Sequence, residues 1–198
     1  MAPPRRPLAN ARHASDDLRR PGPAREAPTQ TGSMDLAELR AVVRADLAAK
    51  GHASDRLTVL VLRLGQYSSS RRTRLPLHLV YRLADLVWTR MIVGAELPPT
   101  AQVGPGLRLP HWGRGVILHP RTVIGRNAFI YHGVTIGESK GRTPVIGDDV
   151  YIGARATIVG DVTVGDRVRI GAGAVVVRDV ASDSSAVGVP ARTASAPS

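Results

Sequence analysis

Aliphatic residues spaced six positions apart dominate the second half of this chain. The longest uninterrupted series has six members: Ile146, Ile152, Ile158, Val164, Ile170 and Val176. Two shorter series with the same spacing precede it: Leu97, Val103 and Leu109, then Leu118, Ile124, Ile130 and Ile136. A period of six matches neither the 3.6 residues of a helical turn nor the alternation of a strand. It suits a short strand and a tight turn that repeat around a three-sided coil.

The spacing predicts a mainly β fold, a parallel β-helix of hexapeptide repeats with the aliphatic side chains pointing inward. Thirteen such positions correspond to about four turns of about eighteen residues. Glycines directly follow several of them, as at Gly147 and Gly153, where the chain bends and a Cβ would clash. The flat faces and open ends of such a coil favour a capped terminus and a symmetric homo-oligomer.

The period is broken twice, and insertions in a repeat fold commonly carry the function. The step from Leu109 to Leu118 is nine residues, and its surplus lies in PHWGRG. The step from Ile136 to Ile146 is ten residues, and its surplus lies in GESKGRTP. We expect both segments to lie outside the coil, at different edges of one subunit. Neighbouring subunits of a trimer would then bring them together.

The sequence before the coil predicts a small helical cap at residues 34–95. Asp35 and Glu38 have capping-box spacing for a helix near 35–50, with Gly51 as its stop. Asp55 is expected to cap a second helix, and a third spans 75–93, with Arg82, Asp85 and Arg90 at solvent positions. The remaining divisions are a disordered extension at 1–33, the β-helix at 96–182 and a tail at 183–198.

Composition excludes several classes of protein. The chain has no cysteine, so disulfides, thiolate metal sites and a cysteine nucleophile are ruled out. The net charge of +11 rests almost wholly on arginine, with only two lysines. A GC-rich genome explains this skew as well as a basic binding face does, so no nucleic-acid partner is predicted. No apolar run reaches the roughly eighteen residues of a membrane span, which predicts a soluble, cytoplasmic protein.

The segments PGLRLPHWGRGVILHPRTVIGRNAFIYHGVTIGE, PVIGDDVYIGARATIVGDVTVGDRVRIGAGAVVVRDV and VGVPAR resemble the serine acetyltransferase family of hexapeptide-repeat acyltransferases. The resemblance covers residues 97–192 and is weaker over the cap. It implies a left-handed β-helix, acetyl-CoA as the donor, and direct transfer to a hydroxyl with a histidine as general base at a subunit interface. It also implies a homotrimer or a dimer of trimers, and a place in cysteine biosynthesis.

Carried over residue by residue, the resemblance places His111 on the catalytic histidine. Pro110 stands where the family usually has an aspartate that orients this histidine. The family's Arg-His-Pro motif, which helps to hold the amino acid, corresponds to Arg142, Thr143 and Pro144. The acceptor is therefore either serine or a sugar hydroxyl, as in relatives from exopolysaccharide gene clusters. Further substrate candidates are Trp112 and His132, and the candidates for CoA are Gly137, Ala154, Arg155, Gly171, Ala172, Arg178 and Arg192.

The chemistry of acetyl transfer explains why a histidine is expected. The acceptor hydroxyl must lose its proton as it attacks the thioester, and an imidazole titrates near neutral pH. The developing oxyanion needs hydrogen-bond donors, which the backbone of Gly113 and Gly115 can supply. Two other classes stay open. One is a zinc hydrase with His111, His119 and His132 as ligands, although no metal is expected. The other is a non-catalytic scaffold that has lost its catalytic partners.

Overall fold

The computed structural model describes residues 34–49, 53–69 and 74–195. The extension at 1–33, predicted to be disordered, and the helix stop expected at Gly51 lie outside these residues. Within the described ranges, no helix combines the length and the hydropathy that a bilayer span requires.

Helices come first: α1 (Leu36–Ala48), α2 (Ala53–Ser69) and α3 (Leu75–Ala84), which continues as the π-helical segment Asp85–Val93. The predicted capping box at the start of α1 is confirmed. The Glu38 backbone N–H donates to Asp35 Oδ1 at 2.8 Å, and the Asp35 N–H donates to Glu38 Oε2 at 3.0 Å. The π-helical segment ends at Gly94, whose φ of 69° is left-handed.

Two expectations for the cap are wrong. Asp55 does not cap α2, because it lies inside the first turn of that helix. Asp85 is not at a solvent position: it is buried, with 8% of its surface exposed, and its carboxylate accepts a hydrogen bond from Arg90 Nε at 2.9 Å. Asp85 is therefore paired with an arginine of its own helical segment, a contact that helix periodicity does not show.

Short strands follow in chain order: β1 (Gln102–Val103), β2 (Ile117–Leu118), β3 (Val123–Ile124), β4 (Phe129–Ile130), β5 (Thr135–Gly137), β6 (Val145–Ile146), β7 (Tyr151–Ile152), β8 (Thr157–Val159), β9 (Thr163–Val164), β10 (Arg169–Ile170), β11 (Val175–Val176), β12 (Ser184–Val187) and β13 (Arg192–Ser195). They form three parallel sheets, one for each face of the prism. Face 1 has the order β2-β5-β8-β11, face 2 has β1-β3-β6-β9, and face 3 has β4-β7-β10-β12 with β13 antiparallel at its end. The parallel β-helix is confirmed.

Each face has five levels, so the coil makes about five turns rather than the four expected. Isolated bridges add Glu96 to face 1, Val180 to face 2 and Arg108 to face 3. The six-residue spacing does not predict the fifth turn, because Val180 follows Val176 by only four residues. Strands β12 and β13 also belong to the coil, although the expected range of 96–182 ends before them.

Every aliphatic position of the sequence pattern is buried, and the strand register stacks these side chains in three columns. Face 3, for example, stacks Ile130 on Ile152 and Ile152 on Ile170. The residue two positions earlier also points inward, as at Ala128, Val150 and Val168, each fully buried. Each repeat thus contributes two residues to one continuous, closely packed core. The turns at the corners lie outside this core.

Three stacks of turns form the corners of the prism. The histidine corner leads from face 3 to face 1 and contains residues 110–116, 131–134, 153–156 and 171–174. The loop corner leads from face 1 to face 2 and contains 119–122, 137–144, 160–162 and 177–179. The aspartate corner leads from face 2 to face 3 and contains 104–107, 125–128, 147–150, 165–168 and 181–183.

The glycines after the aliphatic positions are needed for close approach of successive levels. A Cβ on Gly153 would lie 2.6 Å from the backbone nitrogen of Ala172, and one on Gly147 would lie 2.5 Å from Asp166 Oδ1. The left-handed backbone of the turns occurs two residues later instead, as at Asp149 and Arg155 with φ of 57° and 58°. The predicted steric reason for these glycines is therefore confirmed.

The helical cap is joined to the first turn by a buried ion pair. Arg63 on α2 is 1% exposed and donates to Asp46 on α1 at 2.8 Å. The same guanidinium donates to the carbonyl oxygens of Val103 and Gly104, each at 2.7 Å. Asp46 Oδ1 accepts the backbone N–H groups of Gly106 and Leu107 at 2.8 and 3.0 Å. Polar groups at the open end of the coil are thus satisfied from the cap.

Candidate active site

His111 lies at the top of the histidine corner, in a short 3₁₀ turn at Pro110–Gly113. His111 and Trp112 both have left-handed backbones, with φ of 57° and 65°. For residues with a Cβ, this conformation costs about 1–2 kcal/mol each. The His111 side chain is exposed, and the strained backbone holds its ring outside the coil, where a substrate can reach it.

Helix α2 holds this turn through the backbone of Trp112. The Trp112 N–H donates to Asp55 Oδ1 at 3.1 Å, and its carbonyl oxygen accepts from Thr58 Oγ1 at 2.7 Å. Asp55 and Thr58 are three residues apart and therefore share one face of the helix. Thr58 is fully buried. The two side chains together fix the peptide groups on either side of Trp112, and through them the position of His111.

The sequence predicted that Trp112 lies outside the prism, and this prediction is wrong. Trp112 is half-buried against the core, and its ring packs 5.8 Å from that of Trp88 in the π-helical segment. Trp88 Nε1 also donates to Thr58 Oγ1 at 3.1 Å. The tryptophan therefore anchors the loop to the cap, while only His111 and Arg114 of PHWGRG are exposed.

His132 and Tyr131, one turn further along the corner, surround the His111 ring. The two histidine rings are edge to face with centroids 5.2 Å apart, and the Tyr131 ring lies 6.0 Å from His111. His132 Nδ1 is buried and has no hydrogen-bond partner among the described residues. A buried nitrogen without a partner is uncommon, and this one belongs to the ring that packs against the candidate base. No carboxylate of the described residues is paired with His111.

Four of the CoA candidates lie further along the same corner. The Arg155 N–H donates to the His132 carbonyl at 3.0 Å, and the Gly173 N–H donates to the Ala154 carbonyl at 2.8 Å. Ala172 is exposed beside Gly173. The histidine corner thus brings Ala154, Arg155, Gly171 and Ala172 into one ladder that descends from His111. Of the two oxyanion candidates, Gly113 is buried, whereas Gly115 lies at the corner with φ of 66°.

The second inserted segment lies at the loop corner. There Ser139 and Arg142 form a small antiparallel bridge, and Arg142 Nη1 lies 3.5 Å from Asp161 Oδ2 with both side chains exposed. The Thr143 hydroxyl donates to the Arg121 carbonyl at 3.2 Å. Gly137 and Arg178 belong to this corner too. Within one chain, these four candidates are therefore apart from His111. The register predicted this separation for the two inserted segments. Arg192 lies on β13 at the far end of the coil.

A charged cluster braces this inserted segment. Glu138 contacts Arg121, and its Oε2 lies 3.3 Å from His119 Nε2. The hydrogen bond from the Arg121 guanidinium is the main reason that the pKa of the Glu138 carboxyl is lowered. His119 Nδ1 accepts the Arg121 backbone N–H at 3.2 Å. His119 is therefore part of the loop corner and does not converge with His111 and His132, contrary to the zinc-hydrase hypothesis.

No group of three or more histidine, aspartate or glutamate side chains in the described ranges could hold a metal ion. The arrangement instead offers an exposed imidazole, a second imidazole beside it, and a ladder of backbone groups and arginines. These groups can abstract a proton and bind an extended polar molecule.

Sequence reasoning missed three contributors to this site: Asp55, Thr58 and Tyr131. The signal for the first two was available, because Asp55 and Thr58 are polar residues at helical spacing in the first turns of α2. Tyr131 could have been inferred from the repeat itself, since it directly follows Ile130 at the turn that precedes His132.

Comparison with known proteins agrees with this geometry. Residues 143–178 match the family described as bacterial transferase hexapeptide (six repeats). A soybean serine acetyltransferase complexed with serine is 32% identical, with a TM-score of 0.66 over 79% of this chain and 69% of that chain. The chain belongs to the serine acetyltransferase family. A serine acetyltransferase in complex with CoA is also similar, with 28% identity and a TM-score of 0.60 over 79% of this chain and 66% of that chain.

Sequence similarity to curated members of this family covers about half of the chain. The serine acetyltransferase of Synechocystis sp. is 46% identical over 107 residues, which are 52% of this chain and 43% of that protein. The chain spans about half the length of the curated relatives it matches.

Proposed function

We propose that this protein is a cytoplasmic, acetyl-CoA-dependent acyltransferase that acetylates the hydroxyl of L-serine and so supplies cysteine biosynthesis. The observation that carries the proposal is the His111 ring, exposed on a strained turn and edge to face with His132. The related soybean enzyme with bound serine and the relative with bound CoA support the choice of substrates.

His111 is the general base in this proposal. The acceptor oxygen bonds to the thioester carbonyl carbon while the imidazole takes the hydroxyl proton. Collapse of the tetrahedral intermediate breaks the carbon–sulfur bond, and the imidazolium returns the proton to the CoA sulfur. The Gly115 N–H is the proposed donor to the oxyanion. Asp55 and Thr58 are positioning residues, because they act on the His111 turn through the Trp112 backbone.

A homotrimer, or a pair of trimers, completes the site. The loop corner of one subunit would lie beside the histidine corner of the next, so that Arg142 reaches the acceptor held at His111. Pantetheine would run along Ala154, Gly171 and Ala172 in the groove between the two prisms. Exposed arginines suit the phosphates of CoA, and the candidates are Arg155, Arg178 and Arg192.

A mixing experiment tests this shared site. His111→Ala and Arg142→Ala chains, each inactive alone, should regain activity when they are unfolded and refolded together, because mixed trimers contain interfaces with both native residues. Absence of recovery in mixtures that form normal trimers would place both residues in one subunit's site.

The acceptor is tested by the release of CoA thiol from acetyl-CoA. L-serine should support release, whereas O-methyl-L-serine, which lacks the attacking hydroxyl, should not. The His111→Ala variant should be inactive with both. If L-serine does not support thiol release although the protein binds CoA, the donor assignment stands and serine is not the acceptor.

A sugar hydroxyl is the second candidate acceptor, and two observations favour it. The Thr143 hydroxyl, at the position of the family's histidine, is already bonded to the Arg121 carbonyl. An aromatic surface of Tyr131, Phe129 and Tyr151 lies beside His111, with ring centroids 5.2–5.7 Å apart. Release of thiol with sugars, and not with serine, would select this acceptor.

A further inference from the structure

A cavity of about 250 Å³ lies between the helical cap and face 3 of the coil. Its walls come from α1, α2 and the segment that leads to Pro110, the residue before His111. Most of the lining is apolar, and it is formed by Leu47, Val59, Leu60, Leu107, Leu109 and Phe129. The volume is below the roughly 300–1,000 Å³ of pockets for drug-sized ligands, so the cavity fits a compact molecule.

Two half-buried arginines line this cavity, and one nitrogen of each has no hydrogen-bond partner among the described residues. The Nε atoms of Arg56 and Arg108 are both buried, and neither has a hydrogen-bond partner among the described residues. Arg108 Cζ lies over the Phe129 ring, 4.2 Å from its centroid, so the guanidinium is in contact with one wall of the cavity. Buried donors without acceptors are rare, and a guanidinium is best satisfied by a carboxylate or a phosphate.

The carboxylates of the cavity do not fill this need. Asp46 is committed to Arg63 and to the N–H groups of Gly106 and Leu107. Asp55 accepts the Trp112 N–H. With Asp46 neutralised by Arg63, the remaining charges are two arginines against one aspartate, so the cavity favours an anion.

We propose that this cavity is a binding site for a small organic anion with an apolar body, held by Arg56 and Arg108. The apolar walls take the body of the ligand, and the two guanidinium groups take its carboxylate or phosphate. This site adjoins the histidine corner at Pro110, and its occupancy does not depend on the proposed acetyl transfer.

The site is coupled to the His111 turn through residues that belong to both. Pro110 and Asp55 line the cavity, and Asp55 also holds the Trp112 backbone. A ligand between them would therefore change the surroundings of Trp112. The chain contains only two tryptophans, Trp88 and Trp112, whose rings pack together, so intrinsic fluorescence reports on this contact.

Calorimetric titration of the full chain with cyclohexanecarboxylate tests binding. We expect one saturable site with Kd of about 1 mM or tighter. Cyclohexanol, which lacks the charge, and inorganic phosphate, which lacks the apolar body, should bind at least about tenfold more weakly. A phosphorylated probe, cyclohexyl phosphate, shows which anionic group is preferred. The proposal is wrong if no organic anion binds, or if cyclohexanol binds as well as the carboxylate.

Variants locate the site. Arg56→Gln and Arg108→Gln should each weaken cyclohexanecarboxylate binding about tenfold or more, and the tryptophan fluorescence response should weaken in parallel. Arg82→Gln, at an exposed position of α3, is the matched control and should bind normally. Because the two arginines have unpaired Nε groups, both variants should keep the melting temperature of the parent. Equal binding by all variants would place the anion elsewhere and overturn the assignment.

Discussion

The aspartate corner and the histidine corner are built by the same repeat but are stabilised differently. At the aspartate corner, side chains of one level accept backbone N–H groups of the level before. Asp148 Oδ1 accepts from Arg126 at 2.7 Å, Asp166 Oδ1 from Asp148 at 2.8 Å, and Ser182 Oγ from Asp166 at 3.0 Å. Asp46 does the same for the first level from the cap. This corner is a ladder of satisfied polar groups.

The histidine corner lacks such a side-chain ladder at its upper end. Backbone hydrogen bonds link its levels, as from Gly133 to Arg114 at 2.7 Å. His111 and Trp112 have strained backbones, and His132 Nδ1 has no partner among the described residues. Unsatisfied and strained groups persist where function requires them and the rest of the fold supports them. The difference indicates that one corner stabilises the coil and the other carries the chemistry.

Removal of the candidate base at the histidine corner should have the largest effect on the reaction rate. We expect His111→Ala to lower kcat by about 10²-fold or more, since general-base help contributes about 10²–10⁴-fold. The melting temperature should change little, because the His111 side chain is exposed and alanine keeps the Cβ that strains the turn. Steady-state release of CoA thiol measures the rate.

The control for this variant is His78→Ala, which removes a histidine of α3 that contacts Ser68. It should keep the parent rate. Equal rates for His111→Ala and the parent would remove His111 from the base role and leave the histidine corner without a chemical function.

Breaking the ion pair that closes the aspartate corner should have the largest effect on stability. Asp46→Ala leaves the Arg63 charge buried and frees two backbone N–H groups, which should lower the free energy of unfolding by about 3–5 kcal/mol. Urea denaturation followed by circular dichroism measures it. The double variant Asp46→Ala, Arg63→Met should lose less than the single variant, because no unpaired charge remains. A larger loss in the double variant would show that Arg63 acts mainly through the carbonyls of Val103 and Gly104.

The same two corners show what could be predicted from the sequence. The spacing of Ile130, Ile152 and Ile170 encodes the coil directly, because an inward position must be apolar at every level. Such local rules also revealed the capping box and the two inserted segments. The fifth turn was missed where the step from Val176 shortens to four residues. Contacts between distant segments have no such period, which is why Asp55 was taken for a helix cap.

An effect of intermediate size is expected at Asp55, which links the cap to the histidine corner. Asp55→Ala removes the acceptor of the Trp112 N–H and should lower kcat about tenfold, because a charged hydrogen bond of about 1.5–3 kcal/mol no longer positions the turn. The KM for acetyl-CoA should change little. Asp55→Asn keeps an acceptor oxygen and should restore most of the rate. A similar loss in both variants would mean that the charge, and not the hydrogen bond, is what matters.

The smallest effect should come from one step of the aspartate ladder. Asp148→Ala removes the acceptor for the Arg126 N–H, an exposed but short bond whose loss should lower the free energy of unfolding by about 0.5–1.5 kcal/mol. Asp161→Ala, at the loop corner, is the matched control. Its pair with Arg142 is 3.5 Å long and mostly exposed, so its loss should change stability by less than about 0.5 kcal/mol. Urea denaturation of both variants gives the comparison. If the two losses were equal, the ladder would add no more to stability than an ordinary surface ion pair, and the difference between the corners would rest on the cap alone.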